Sequence, residues 1–218
     1  MARRPYHLEM FLDFNMYAIQ GRYVRLEPLA ERHADDLLAV GRDESVWTYL
    51  TRGPFVDPAD VVQWIGRAAA AREKGEIIPF AIVDAAIGRA IGSTRYQDIR
   101  PDDKALEIGY TWVSPAWQRT AINTECKLLL LRHAFEVMGA GRVQLKTDAR
   151  NLKSQTAIAR LGAVREGILR RHMRTRDDFI RDTVFFSILS DEWPGVRARL
   201  ESRLARGGSA PAPTQSVP

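Results

Sequence analysis

The sequence predicts an α+β fold with a mixed sheet, and three observations carry that reading. Three apolar, β-branched runs follow one another between Ile77 and Val113 with short turns between them, the pattern of an antiparallel meander. A long apolar helical pattern, Ile122 to Met138, then leads to a further strand pattern, so a helix crosses over between two parallel strands. One strand and two helical patterns come before the meander.

In chain order, the first 20 residues show no sustained period and read as an N-terminal extension, with Met10 and Met16 as alternative starts. Tyr23 to Glu27 is a short strand, and Ala30 to Gly41 is a helix that stops at its glycine. Asp57 and Pro58 open the next helix as N-cap and first helical residue, and it runs to Lys74-Gly75. The meander comprises Ile77–Asp84, Ala90–Tyr96 and Ala105–Val113, the first two joined by a turn at Ala85 to Gly88. Strict alternation in the third strand puts Leu106, Ile108, Tyr110 and Trp112 on one face and Glu107, Gly109, Thr111 and Val113 on the other. Gly109, in mid-strand, marks a bulge, a close approach of another backbone, or only a bend.

Apolar residues cover most of the circumference of the 122–138 helix, so it is buried on more than one side. Arg142 to Asp148 is a strand, followed by a helix from an Asn151 N-cap to a Gly162 C-cap. A strand within Ala163 to Met173 precedes the closing strand, Arg181 to Leu189. The expected organisation is one domain over 21–193, a helical segment over 194–205, and a tail over 206–218. The tail is too rich in Gly, Ser and Pro to offset its ordering entropy and is expected to be disordered.

With one cysteine, Cys126, the chain has no internal disulfide and no cysteine-based metal cluster. No metal is expected, and a reducing cytoplasm fits. Two arginines near the start resemble a signal peptide, but His7, Glu9, Asp13 and Asn15 interrupt any apolar core. No run approaches the ~18 apolar residues of a membrane span. The net charge of +5 is uneven, because residues 142–206 hold 15 Lys and Arg against 8 Asp and Glu. Either that is a solvated basic face, or an anionic ligand sits near the C-terminal half. Charge is the only support for a nucleic-acid-binding protein, since no helix-turn-helix, zinc or basic-aromatic strand motif accompanies it.

Ser114-Pro115 ends the third meander strand, and Gln118 to Asn123 lead into the buried helix. Unpaired N–H groups at such a helix start cradle an anion, helped by the helix dipole, although most helix starts bind only water.

The segments ALEIGYTWVSPAWQRTAINTE and NLKSQTAIARLGAVREGILRRH resemble the GNAT N-acetyltransferase superfamily, in particular its ribosomal-protein alanine N-acetyltransferases, over roughly Gly21 to Trp193. The resemblance implies a largely antiparallel mixed sheet of about seven strands, flanked by helices and splayed between strands 4 and 5. It implies acetyl-coenzyme A as co-substrate, with its diphosphate held by the turn Gln118, Arg119, Thr120, Ala121, Ile122 and Asn123. Both glycine positions of the family's turn are filled by larger residues here, and Ala121 is the main departure. A methyl there costs on the order of 1 kcal/mol if the turn needs positive φ, and nothing if the residue is already helical.

The same resemblance implies that backbone at Tyr110, Trp112 and Val113 pairs with the pantetheine arm like an added strand. It makes Glu107 the candidate base acting through water, and Ser154 a hydroxyl near the coenzyme sulfur, with Asn151 on the cofactor. Alternatively, Glu107 is an ordinary strand carboxylate paired with a basic neighbour, Asn151 is only a cap, and Ser154 is a first-turn serine. Lys153 and Arg119 are expected at the phosphates. Trp47, Tyr49 and Phe55 form the acceptor-side wall or belong to the core, and His172 lines the acceptor pocket or is simply exposed. The implied acceptor is a small-molecule amine or a protein N-terminus, with no nucleic acid or membrane partner, on a monomer or homodimer. The other reading is a catalytically silent acyl-coenzyme A sensor.

Overall fold

The protein is described by a computed structural model over residues 17–207. Most of the expected extension and the tail beyond Gly207 lie outside the described residues. Eight strands form one sheet: β1 Ile19–Gln20, β2 Val24–Pro28, β3 Ile78–Asp84, β4 Ala90–Arg100, β5 Ala105–Val113, β6 Arg142–Asp148, β7 Val164–Arg174 and β8 Ile180–Leu189. Their order is β1-β2-β3-β4-β5-β6-β8-β7, antiparallel throughout except for the parallel pair β5–β6. The strand beyond the expected seven is β1, whose two residues pair with Leu26 and Arg25 and are too few to carry a period.

Five helices flank the sheet: α1 Ala34–Val40, α2 Pro58–Glu73, α3 Ala121–Arg132, α4 Leu152–Leu161 and α5 Trp193–Gly207. The expected caps are present. Asp57 accepts from Asp60 N–H at 2.8 Å, Asn151 accepts from Ser154 N–H at 3.0 Å, and Gly162 ends α4 at φ +104°. Two helices differ from expectation. The start of the 30–41 pattern is a 3₁₀ turn, Glu31–His33, and α3 gives way at His133 to a π turn that ends at Val137. Tyr96 on β4 explains the second change: its hydroxyl donates to the Leu130 carbonyl at 2.6 Å and competes for an acceptor in the helix's last turn.

Two apolar layers hold these elements together. On one face, α3, α4 and α5 pack on the sheet through Ile122, Leu128 to Leu131, Ile158, Leu161, Val196 and Leu200. On the other, α1 and α2 pack through Leu37, Val61 and Ile65, together with Trp47, Phe55 and Trp112. Fully buried leucines such as Leu130 and Leu131 each contribute roughly 1.5–3 kcal/mol. Because α3 is buried on nearly every side, its polar residues Thr124, Glu125 and Lys127 are enclosed as well. Glu125 becomes an anchor, its carboxylate accepting from the N–H groups of Arg22, Tyr23 and Val24 at 2.6–2.9 Å and fixing the start of β2.

Candidate active site

β5 and β6 part company partway along their length. They pair only at Ala105↔Arg142, Leu106↔Val143 and Glu107↔Gln144, after which the edge of β5 from Ile108 onward is open. The opening is the splay expected between strands 4 and 5 of a seven-stranded sheet, here β5 and β6. Opposite β4 the register shifts between Ser93 and Arg95, and Tyr110 takes φ +50°, a left-handed conformation rare for a tyrosine. Gly109 serves the bulge and a close approach together. A Cβ at Gly109 would lie 2.6 Å from Gln97 Nε2 and 2.7 Å from Glu107 Oε1.

The bulge overturns the strict alternation expected for this strand. Leu106 and Ile108 face the α3 layer, but past the bulge it is Val113 that joins them, while Trp112 enters the opposite layer against Trp47 at 4.9 Å. Thr111 also turns to the α3 side, where its hydroxyl accepts from Lys127 Nζ at 2.6 Å. Glu107 therefore shares no face with Thr111, contrary to expectation, because one extra residue reverses every side chain beyond it.

A cavity of about 870 Å³ fills the splay, from the start of α3 to Glu107 and on to β8. At its mouth the N–H groups of Arg119 and Thr120, and that of Ala121 next to them in the chain, donate to no acceptor among the described residues. The positive φ of this turn, +64°, falls on Arg119, and Thr120 is the N-cap, its hydroxyl taking the Ile122 N–H at 3.3 Å. Ala121 is already helical, so its methyl does not strain the turn and packs into the core, as does Ile122. Those two residues, expected at the diphosphate, do not line the cavity, because the first turn of α3 directs them into the core.

Ser114 N–H donates to Ile91 on the β4 side, at 2.9 Å. By alternation the N–H and C=O of Val113 point to the open side. Gln118 Nε2 takes that carbonyl at 2.9 Å, and Lys153 in turn bonds Gln118 Oε1. Asn123 and Ser154 line the cavity, and the Ser154 hydroxyl has no partner among the described residues.

At the floor, Glu107 is fully enclosed and accepts from Gln97 Nε2 at 2.5 Å, Gln144 Nε2 at 3.0 Å and Lys146 Nζ at 3.0 Å. The basic neighbour of the alternative reading thus exists, and Oε1 still keeps one lone pair. Of the four residues considered for the acceptor side, Trp47, Tyr49, Phe55 and His172, Tyr49 lines the cavity. Trp47 and Phe55 do not; they are 0% and 2% exposed and pack edge to face in the core behind it. Nor does His172, which lies exposed on β7 with its ring edge-on to Phe185 at 5.3 Å.

Several lining residues escaped the sequence reading. Lys127 is buried in mid-α3 and pushed below its ordinary pKa by that burial, although a lone lysine inside the apolar run of α3 was a visible signal. Arg95 on β4 and Arg181 on β8 are likewise lowered by burial, partly offset by Tyr110 and then Glu107 for Arg95, and by Asp148 and then Glu107 for Arg181. Strand arginines carry no such signal, since alternation cannot say which face will border a cavity. Among the described residues no helix is long and apolar enough to cross a membrane.

An open strand edge leading from a helix start with unpaired N–H groups to an enclosed carboxylate is an arrangement suited to acyl transfer, and comparison with known proteins agrees. The acetyltransferase (GNAT) domain model matches residues 24–164. The chain is 26% identical to "Uncharacterized N-acetyltransferase p20" of Bacillus licheniformis over 165 residues, covering 74% of this chain and 90% of that protein. A GCN5-related N-acetyltransferase from Brucella melitensis superposes with a TM-score of 0.82 at 31% identity, covering 92% of each chain. A ribosomal-protein-S5-alanine acetyltransferase from Vibrio fischeri shares the fold, with a TM-score of 0.68 at 17% identity over 82% of this chain and 99% of that one. The chain belongs to the GNAT acetyltransferase family.

Proposed function

We propose that the protein transfers an acetyl group from acetyl-coenzyme A to a primary amine by direct attack on the thioester. The observation that carries this reading is that Arg119 and Thr120, whose N–H groups are unpaired among the described residues, the open edge of β5 and the Glu107 carboxylate all border one cavity. The donor set suits the co-substrate. Amides at a helix start, with Arg119, Lys153, Arg160 and Arg203 around them, match a diphosphate and a further phosphate. The Val113 N–H on the open side matches an extended amide-bearing arm. Bound there, the coenzyme supplies an activated acetyl carbonyl.

The residues of the chain then have separate tasks. The acceptor amine must reach the carbonyl unprotonated, and the free lone pair of Glu107 Oε1 takes its proton through a water. A carbon–nitrogen bond forms and the carbon–sulfur bond breaks. The sulfur leaves with the electron pair and is protonated, and the unpartnered Ser154 hydroxyl is the group suited to donate to it. Layers of Trp47, Phe55 and Trp112 close the far side of β5 against water.

Labelled acetyl-coenzyme A offered with a panel of amines, amino acids and peptides tests this. Transfer to at least one amine is expected, and Ser154→Ala is expected to slow it about tenfold or more with coenzyme affinity changed little. No transfer to any amine, or no binding of coenzyme A by calorimetry, overturns the reading.

A further inference from the structure

Resting on that transferase reading, we infer that the acceptor amine carries an anionic group, a carboxylate or phosphate a few bonds away, and that Arg181 and Arg95 recognise it. Eight lysines and arginines line the cavity against one carboxylate, Glu107. They fall into two groups by element. Arg119, Lys153, Arg160 and Arg203 sit on the α3 turn, α4 and α5, where coenzyme phosphates account for them. Arg95, Lys127, Lys146 and Arg181 sit on β4, the middle of α3, β6 and β8, away from the turn that starts α3. Lys146 is paired with Glu107, and Lys127 is held by Thr111. Two guanidinium groups remain.

Arg181 is 7% exposed, and its contacts are neutral: Nη1 to the Tyr49 carbonyl at 3.0 Å, Nε to Thr183 Oγ1 at 3.2 Å, and Nη2 to Met173 Sδ at 3.4 Å. A guanidinium has five N–H groups, so two are left over. The nearest acids are committed elsewhere. Asp148 is bonded by Arg150 through Nε and Nη2, and Glu107 by Lys146 and two glutamines. Arg95, half-buried, lies 4.3 Å above the Tyr110 ring, and among the described residues its guanidinium donates only to Gln97 Oε1, at 2.6 Å.

Asp148 and Glu107 offset part of the cost of enclosing Arg181, but neither is bonded to it, and a directly paired anion offsets the rest. The two guanidinium charges have a second effect. They disfavour an ammonium beside them, so the acceptor's amine is held as the free base while its anionic group is held by the arginines. A strongly basic acceptor is disfavoured for the same reason.

Matched acceptor pairs test the inference: an α-amino acid against its carboxamide, an aminoalkyl phosphate against the amino alcohol, and a peptide with aspartate in second place against one with lysine. The wild-type kcat/KM is expected to favour the anionic member of a pair by on the order of 10- to 100-fold, and the pair with the larger ratio identifies the source of the anion. Arg181→Gln is expected to bring that ratio close to one, chiefly by raising KM for the anionic member, and Arg95→Met to lower it less. Because a folding defect slows both members alike, the ratio reports recognition alone. Equal turnover of neutral or basic members by the wild type, or a ratio unmoved in both variants, overturns the inference and leaves the transferase reading standing. Transfer to no amine overturns both.

Discussion

At the mouth of the cavity a ligand meets backbone N–H groups and exposed Lys and Arg side chains, all from the start of α3 and the neighbouring helices. At its floor it meets enclosed side chains brought together from β4, β5, β6 and β8. The mouth depends on one turn, in which Thr120 caps α3 and Arg119 takes the left-handed conformation. The floor depends on a bulge at Tyr110 and on strand pairing that stops at Glu107. A site can therefore tolerate side-chain change at one end and very little at the other. Donors supplied by backbone survive substitution, whereas a network around an enclosed carboxylate fails when one member leaves.

The sharpest way to break this comparison is at Glu107. Glu107→Ala leaves the Lys146 ammonium, 18% exposed, and two glutamine amides without their acceptor. Destabilisation of roughly 3 kcal/mol or more by urea titration is expected, together with a loss of transfer rate of about 100-fold. Glu107→Gln keeps the shape and should recover most of the stability but not the rate. Full rate in Glu107→Gln would remove the carboxylate from the chemistry.

A smaller effect is expected midway, at Lys127. Burial holds this lysine below its ordinary 10.5. The unfolded chain therefore binds the proton more tightly than the folded one, and wild-type stability rises with pH between the depressed value and 10.5. Lys127→Met lacks that rise. It should be the more stable protein at neutral pH by about 1 kcal/mol or more, with the difference shrinking as the solution is made alkaline. A pH-independent difference in thermal or urea unfolding would contradict this assignment.

The smallest effect belongs to the mouth. Ala121→Gly is expected to change coenzyme A affinity less than about fivefold and to cost no more than about 1 kcal/mol of stability. A tenfold tightening by calorimetry would place the turn's strain at Ala121 rather than Arg119, and the mouth would no longer be the tolerant end.

The helix starts were readable because their signals are local. Asp57-Pro58, Asn151 and Gly162 each announce a boundary through what their own side chain or φ can do within a few residues. The meander and the crossover helix were readable from periodicity for the same reason. For Trp47 and Phe55 the sequence leaves wall and core open, because an aromatic on a connecting segment looks the same in either place, and the structure puts both in the core. The faces of β5 beyond Gly109 were misassigned because periodicity counts residues and cannot count a bulge. Arg95 and Arg181 were passed over because nothing near them in sequence makes an arginine unusual.

What the chain alone determined was the list and order of elements, their caps, and the helix start that follows β5, all set by interactions within a few residues. Which side chains surround the enclosed carboxylate was decided only by the tertiary structure. Contacts between strands far apart in the chain depend on register and on where pairing stops, and these are set by the packing of the whole sheet.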